Sequence, residues 1–149
     1  IEKELLSLNL NVALYNKVEK LNKDTDILLI DTYGESLKFY NITKHIFLGK
    51  SLVKYLMMDS GQNPLEAARF GCKILHGPNV SNFKEIYTFL NQNKISSKIT
   101  SPKMMSKILV KFFSKKSVSN KVKKKINNIG QKILNVTYKE VNLLLKNEI

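Results

Sequence analysis

Short apolar runs separated by polar turns recur along the chain as far as Thr100. Asp26-Ile27-Leu28-Leu29-Ile30 has the length and composition of a strand buried on both faces. His45 to Leu48 and Lys73 to Leu75 are two more such runs, and Asn11 to Tyr15 and Ser97 to Thr100 are candidate short strands. Between them, helical spacing runs over Glu2 to Leu8, Gly34 to Asn41, Ser51 to Met58, Asn63 to Gly71 and Asn82 to Asn91. Repeated alternation of strand and helix predicts an α/β, Rossmann-like fold, a parallel sheet with helices on both faces.

Beyond Ser101 the pattern changes. Ser101-Pro102 is a helix opening, followed by a stripe of Met104, Met105, Ile108, Leu109, Phe112 and Phe113 that should pack inward. Lys103, Lys107, Lys111 and Lys115 recur at i, i+4 on another face. After Ser117 to Asn120 a long helical pattern runs toward Glu148, softened near Asn127, Asn128 and Gly130. With no low-complexity linker or internal repeat, residues 1–149 are read as one domain, of which 101–149 form a basic helical tail.

Two strand-to-helix junctions attract attention, because open α/β sheets bind ligands beyond the carboxyl ends of their strands. The first is Asp31-Thr32-Tyr33-Gly34-Glu35, with Glu35 expected one turn into a helix. The second is Ser60-Gly61-Gln62-Asn63-Pro64-Leu65-Glu66, with Asn63 as cap and Pro64 at the first helical position. A helix that opens there aims free N–H groups and the positive end of its dipole at what lies in front, which suits a phosphate. Both junctions also scan as capping boxes, Thr32 with Glu35 and Asn63 with Glu66, and so does Asn82 with Glu85. Three boxes in one chain mean that a capping match alone does not mark a site.

The segments Asp31 to Glu35, Phe47-Leu48-Gly49-Lys50-Ser51-Leu52-Val53, Ser60 to Asn79 and Asn82-Phe83-Lys84-Glu85-Ile86 occur in one order across Asp26 to Leu90. Together they resemble the C-terminal half of the bacterial 3-deoxy-D-manno-octulosonic acid (Kdo) transferases of lipopolysaccharide synthesis. The family's blocks run D-T-M-G-E-L, F-V-G-G-S-L-V, G-G-H-N-P-L-E-A-A and G-P-H-x-x-N-F-x-E/D-I. Among its departures from them are Tyr33, Lys50, Ser60 and Gln62, and it carries about four extra residues within Lys54 to Asp59. The resemblance implies the C-terminal half of a GT-B glycosyltransferase. It assigns contact with the CMP moiety of CMP-Kdo to Tyr33, Gly34, Glu35, Asn63, Pro64, Leu65 and Glu66, with a backbone role at Tyr33. It also implies an N-terminal domain, absent from this sequence, that holds the lipid A precursor and the catalytic glutamate. No catalytic residue is therefore expected in this chain, and transfer by it alone is not expected.

The charge is lopsided. No acidic residue falls between Glu85 and Glu140, while thirteen lysines do, which matches the whole formal net charge of +13. An anionic membrane surface, RNA or plain solvation of lysines can each account for it. The only arginine is Arg69, which disfavours sequence-specific reading of nucleic acid. A single cysteine, Cys72, excludes an internal disulfide and a cysteine-rich zinc site, and fits a reduced, cytoplasmic setting. No apolar run reaches the ~18 residues of a spanning helix. His45 and His76 read as structural, and no metal or cofactor motif is present. The expected function is binding of CMP-Kdo for a transferase at the cytoplasmic face of the inner membrane. The alternatives are a degenerate GT-B domain without donor binding and a basic peripheral module for anionic lipid or RNA.

Overall fold

The structure, a computed structural model, describes residues 1–53, 61–113 and 121–147. The chain divides into two compact units, Ile1–Ser36 and Leu37–Ile149. The first holds helix α1 (Glu2–Ser7) and strands β1 (Val12–Leu14) and β2 (Ile27–Leu29), paired in parallel with Val12 opposite Ile27. Two aspartates fasten this pair at either end of β2: the Asn11 N–H donates to Asp26 Oδ2 at 2.9 Å and the Asn16 N–H to Asp31 Oδ1 at 3.1 Å. The residues of β2 are half-buried, not buried on both faces as its apolar run predicts, since β1 is its only strand partner among the described residues.

The second unit is built on a three-stranded parallel sheet, β3 (His45–Leu48), β4 (Lys73–His76) and β5 (Ser96–Lys98), in the order β3-β4-β5. β4 is central, so Ile74, Leu75 and His76 are buried on it, each apolar one contributing about 1.5–3 kcal/mol. Helices α2 (Ser36–Ile42), α3 (Leu65–Arg69) and α4 (Lys84–Gln92) alternate with these strands as the pattern predicts. Ala67 and Ala68 of α3, Tyr87 and Leu90 of α4, Cys72, Ile74, Leu48 and Ile95 form the core. The Cys72 thiol donates toward the carbonyls of Tyr40 and Thr43 at 3.4 Å, and burial pushes its pKa up, so it serves as a buried core thiol. The predicted helix over Ser51 to Met58 lies largely outside the described residues, as do the extra loop residues.

Two helices complete the unit. α5 (Pro102–Phe113) opens as read, with the Met104 N–H donating to Ser101 Oγ at 3.2 Å. Its inward stripe is narrower than predicted: Met105, Ile108, Leu109 and Phe112 are half-buried, while Met104 and Phe113 are 39% and 77% exposed. The half-buried four sit at i, i+3, i+4 and i+7, and Met104 and Phe113 fall on the flanks of that line. α6 (Lys121–Asn147) is continuous through Asn127, Asn128 and Gly130, where softening was expected. It packs through its first turns: Ile126 lies against the core, and a Cβ on Gly71 (φ +82°) would stand 3.1 Å from that of Lys123.

The sheet's carboxyl edge contains a closer approach. A Cβ on Gly77 would fall 2.0 Å from the Ser51 carbonyl oxygen and 2.4 Å from the Leu52 Cα, both backbone atoms. Gly77→Ala should therefore destabilise the protein by at least about 2 kcal/mol in urea denaturation. Gly49→Ala, whose Cβ would meet nothing within 4 Å, should stay within about 0.5 kcal/mol of wild type.

Candidate functional site

The loops leaving β3 and β4 are joined by one buried side chain. Ser51 Oγ donates to the Leu48 carbonyl at 2.6 Å and accepts the Gly77 N–H at 2.9 Å, and the Ser51 carbonyl accepts the Asn79 N–H at 2.8 Å. Asn79 Nδ2 adds a bond to the Val53 carbonyl at 3.1 Å. Lys50, beside Ser51, takes the left-handed φ of +56°, a conformation glycine adopts without cost and the family pattern fills with glycine. Its carbonyl receives the Gly61 N–H at 3.0 Å. Gly61, also left-handed at φ +73°, lies against Val80 and the Asn79 carbonyl, where a Cβ would be 3.2–3.4 Å from its nearest neighbours. The chain therefore re-enters at Gly61 beside both strand exits.

From this edge the segment Gln62-Asn63-Pro64 leads into α3. Asn63 Oδ1 accepts the Leu65 N–H at 3.0 Å, an Asx turn just ahead of α3; the helix's N-cap is Pro64, not Asn63 with Pro64 at the first helical position as the sequence predicts, so Asn63 with Glu66 is not a capping box. Pro64 is buried and has no N–H, and its carbonyl accepts the Ala68 N–H at 3.0 Å. The N–H groups of Leu65, Glu66 and Ala67 thus stand outside the helix's own ladder; Leu65 is taken by Asn63, Ala67 is buried, and Glu66 is on the exposed side. Asn63, Leu65 and Glu66 are exposed. With five residues in α3, the dipole adds little to anion binding, so the sequence argument from a helix dipole gives way to hydrogen bonding by individual groups.

Beneath this turn lies a buried polar chain from α4, β4 and β5. The Tyr87 hydroxyl donates to the Gln62 carbonyl at 2.9 Å, and its ring packs on that of His76 with centroids 4.3 Å apart. Burial pushes the Tyr87 pKa up to about 12, which keeps the donated proton on the hydroxyl. Ser96 Oγ donates to Asn91 Oδ1 at 2.6 Å, Asn91 Nδ2 donates to His76 Nε2 at 3.2 Å, and His76 Nδ1 reaches the Gly77 carbonyl at 2.7 Å. This pattern assigns one neutral tautomer to His76, with its proton on Nδ1. Burial lowers the pKa of His76, opposed by its two hydrogen bonds.

The other predicted site residues, Tyr33, Gly34 and Glu35, lie in the first unit. Tyr33 is fully exposed, Glu35 is half-buried, and Gly34 has φ +82°. The left-handed Gly34 bars a helix through it, so α2 begins at Ser36. Glu35 therefore precedes the helix where the sequence places it a turn inside, and Thr32 with Glu35 is not a capping box. Asp31 is engaged with Asn16, as described above. Sequence reasoning did not list Ser51, Gly77 or Tyr87 as site residues. The first two carry a signal, since both lie in motif blocks, whereas Tyr87 reads only as a core position of α4. Among the described residues no group of three or more His, Cys, Asp or Glu could hold a metal ion.

Several known proteins are similar to this chain. It is 38% identical over 69 residues to the 3-deoxy-D-manno-octulosonic acid transferase of Haemophilus influenzae, across 46% of this chain and 15% of that protein. It is 32% identical over 83 residues to the probable mitochondrial 3-deoxy-D-manno-octulosonic acid transferase of Arabidopsis thaliana, across 55% of this chain and 18% of that protein. The match thus spans less than a fifth of either relative. In structure the chain is similar to the C-terminal CMP-Kdo binding domain of WaaA from Acinetobacter baumannii. The TM-score is 0.76 at 18% identity, over 87% of this chain and 66% of that one. No family model matches. The resemblance read from the four blocks is borne out, and so is the α/β fold with parallel strands and a C-terminal helix.

The two histidines give the second unit a pH dependence. His45, stacked on Phe112 at 4.1 Å, has its pKa lowered by burial and by Lys73, and that of His76 is lowered too. A base whose folded pKa lies below its unfolded value takes up protons on unfolding, so its stabilisation is present above the unfolded pKa of about 6.5 and lost as pH falls through the folded one. The melting temperature should fall between pH 7.5 and 5.5, and the double variant His45→Gln, His76→Gln should flatten that slope.

Proposed function

We propose that this chain is the donor-binding half of a Kdo transferase, which holds CMP-Kdo while an acceptor hydroxyl attacks the sugar. The observation that carries this reading is the turn from Gly61 to Glu66, set against the clamped exits of β3 and β4. The relatives and the structural neighbour described above support the choice of ligand. In this reading the N–H group of exposed Glu66 and the side-chain amide of Asn63 receive the single phosphate. The Glu66 carboxylate accepts hydrogen bonds from hydroxyls of the ribose. Tyr33, Gly34 and Glu35 keep the nucleotide contact that the resemblance assigns them, Tyr33 through its backbone.

Transfer breaks the bond between the anomeric carbon of Kdo and the phosphate oxygen, and the charge moves onto departing CMP. Fixed N–H donors stabilise that charge without a nucleophile or a metal from this chain. The base that takes the acceptor's proton belongs, in this proposal, to the N-terminal domain, which also holds the lipid A precursor. Lys103, Lys107 and Lys111 are all exposed along α5, and an anionic inner-membrane surface is the partner proposed for them in the whole protein. Lys115 lies outside the described residues.

Isothermal calorimetry should find CMP bound by this chain, and CMP-Kdo held more tightly than a UDP-sugar. Asn63→Ala and Glu66→Ala should each weaken binding by about 1–3 kcal/mol. Equal affinity of wild type and both variants for CMP would contradict the reading.

A further inference from the structure

We propose that Tyr87 is a positioning residue for the donor turn, acting through the Gln62 carbonyl without touching the ligand itself. The proposal rests on the reading of that turn as a nucleotide site. Tyr87 is 1% exposed on α4, and its hydroxyl spans from the core to a backbone carbonyl one residue ahead of Asn63. Gln62 and Asn63 are exposed, and Gly61 before them is held by its N–H on the Lys50 carbonyl. The turn is thus fixed at its start by Lys50 and at its centre by Tyr87. Asn63 Oδ1 then sets the Leu65 N–H, and with it the direction of the exposed Glu66 N–H that follows.

The position of the Tyr87 ring is itself determined. It packs against His76, whose neutral ring is held between the Gly77 carbonyl and Asn91, and Asn91 is held by Ser96. One continuous chain therefore runs from β5 through α4 and β4 to the turn. The ring has no freedom to follow the Gln62 carbonyl if the turn moves, so the hydroxyl sets where the carbonyl rests. Exposed turns without such an anchor sample many backbone states, and a ligand that needs one of them binds more weakly in proportion to its population.

The test uses Tyr87→Phe in the full chain, which removes the hydroxyl and keeps the ring against His76. Amide hydrogen exchange of the free protein should speed up about tenfold at Leu65, while Ile74 and Leu75 of β4 exchange as in wild type. CMP should bind about tenfold more weakly, and cytidine, which lacks the phosphate, by less than twofold. A merely structural loss would raise exchange in β4 and weaken both ligands alike. Gly61→Ala, which strains the same turn from its other anchor, should reproduce the phosphate-selective loss and provides the second variant if Tyr87→Phe does not fold. Unchanged Leu65 exchange together with unchanged CMP affinity in Tyr87→Phe overturns the positioning role. If wild type binds no CMP, the donor-site reading fails, and Leu65 exchange still decides whether Tyr87 orders the turn.

Discussion

The near-contact of two backbones at Ser51 and Gly77 is the constraint on which the carboxyl edge of the sheet depends. The Ser51 hydroxyl has both of its hydrogen-bonding capacities used, as donor to the strand that precedes it and as acceptor from the strand beside it. Its carbonyl takes a third bond, from Asn79. No side chain fits at Gly77, because a Cβ would overlap the Ser51 carbonyl. The two strand exits therefore form one rigid ledge, on which Gly61 docks through Lys50 and against Val80. A loop that returned to an unclamped edge would carry the entropy of several free residues, roughly 1–2 kcal/mol each, into any binding event.

The sequence of strands and helices along the chain and their approximate limits are legible from the apolar runs, whereas the division into two sheets is not, and the N-caps of α1, α3 and α4 are Ile1, Pro64 and Phe83, which make no side-chain capping bond. His45 to Leu48 is observed as read, and Ser101-Pro102 opens α5 as expected. The errors have a common cause. Glu35 was placed inside a helix because Thr32 and Glu35 have capping-box spacing, but spacing does not reveal that Gly34 is left-handed. The Asp26 to Ile30 run was read as a strand buried on both faces, and the apolar run says nothing of how few strands flank it. The candidate turn at Asn63 is legible from its Asn-Pro pair, although the helix is capped by Pro64 and not by Asn63. Its support by Ser51, Gly77 and Tyr87 was not, since those contacts join residues 25 to 26 positions apart.

The excess of lysine also changes meaning in three dimensions. Lys73 Nζ bonds to the Lys94 carbonyl and Lys125 Nζ to the Asn93 carbonyl at 3.2 Å, so two ammonium groups lie where α4 ends and the dipole is negative. Burial and the neighbouring Lys125 lower the pKa of Lys73. Part of the positive charge is thus structural and needs no external anion. Lys103, Lys107 and Lys111 of α5 are exposed and form a separate population. No helix among the described residues is long and apolar enough to cross a membrane.

In the proposed function the ledge and the turn from Gly61 to Glu66 hold a cytidine nucleotide, and an NMR titration of the labelled chain with CMP decides it. Saturable amide shifts at Lys50, Ser51, Gly61, Asn63, Glu66, Ala67 and Gly77, retained in moderate salt, are expected. Shifts confined to Lys103, Lys107, Lys111 and the lysines of α6, and abolished by salt, would contradict it.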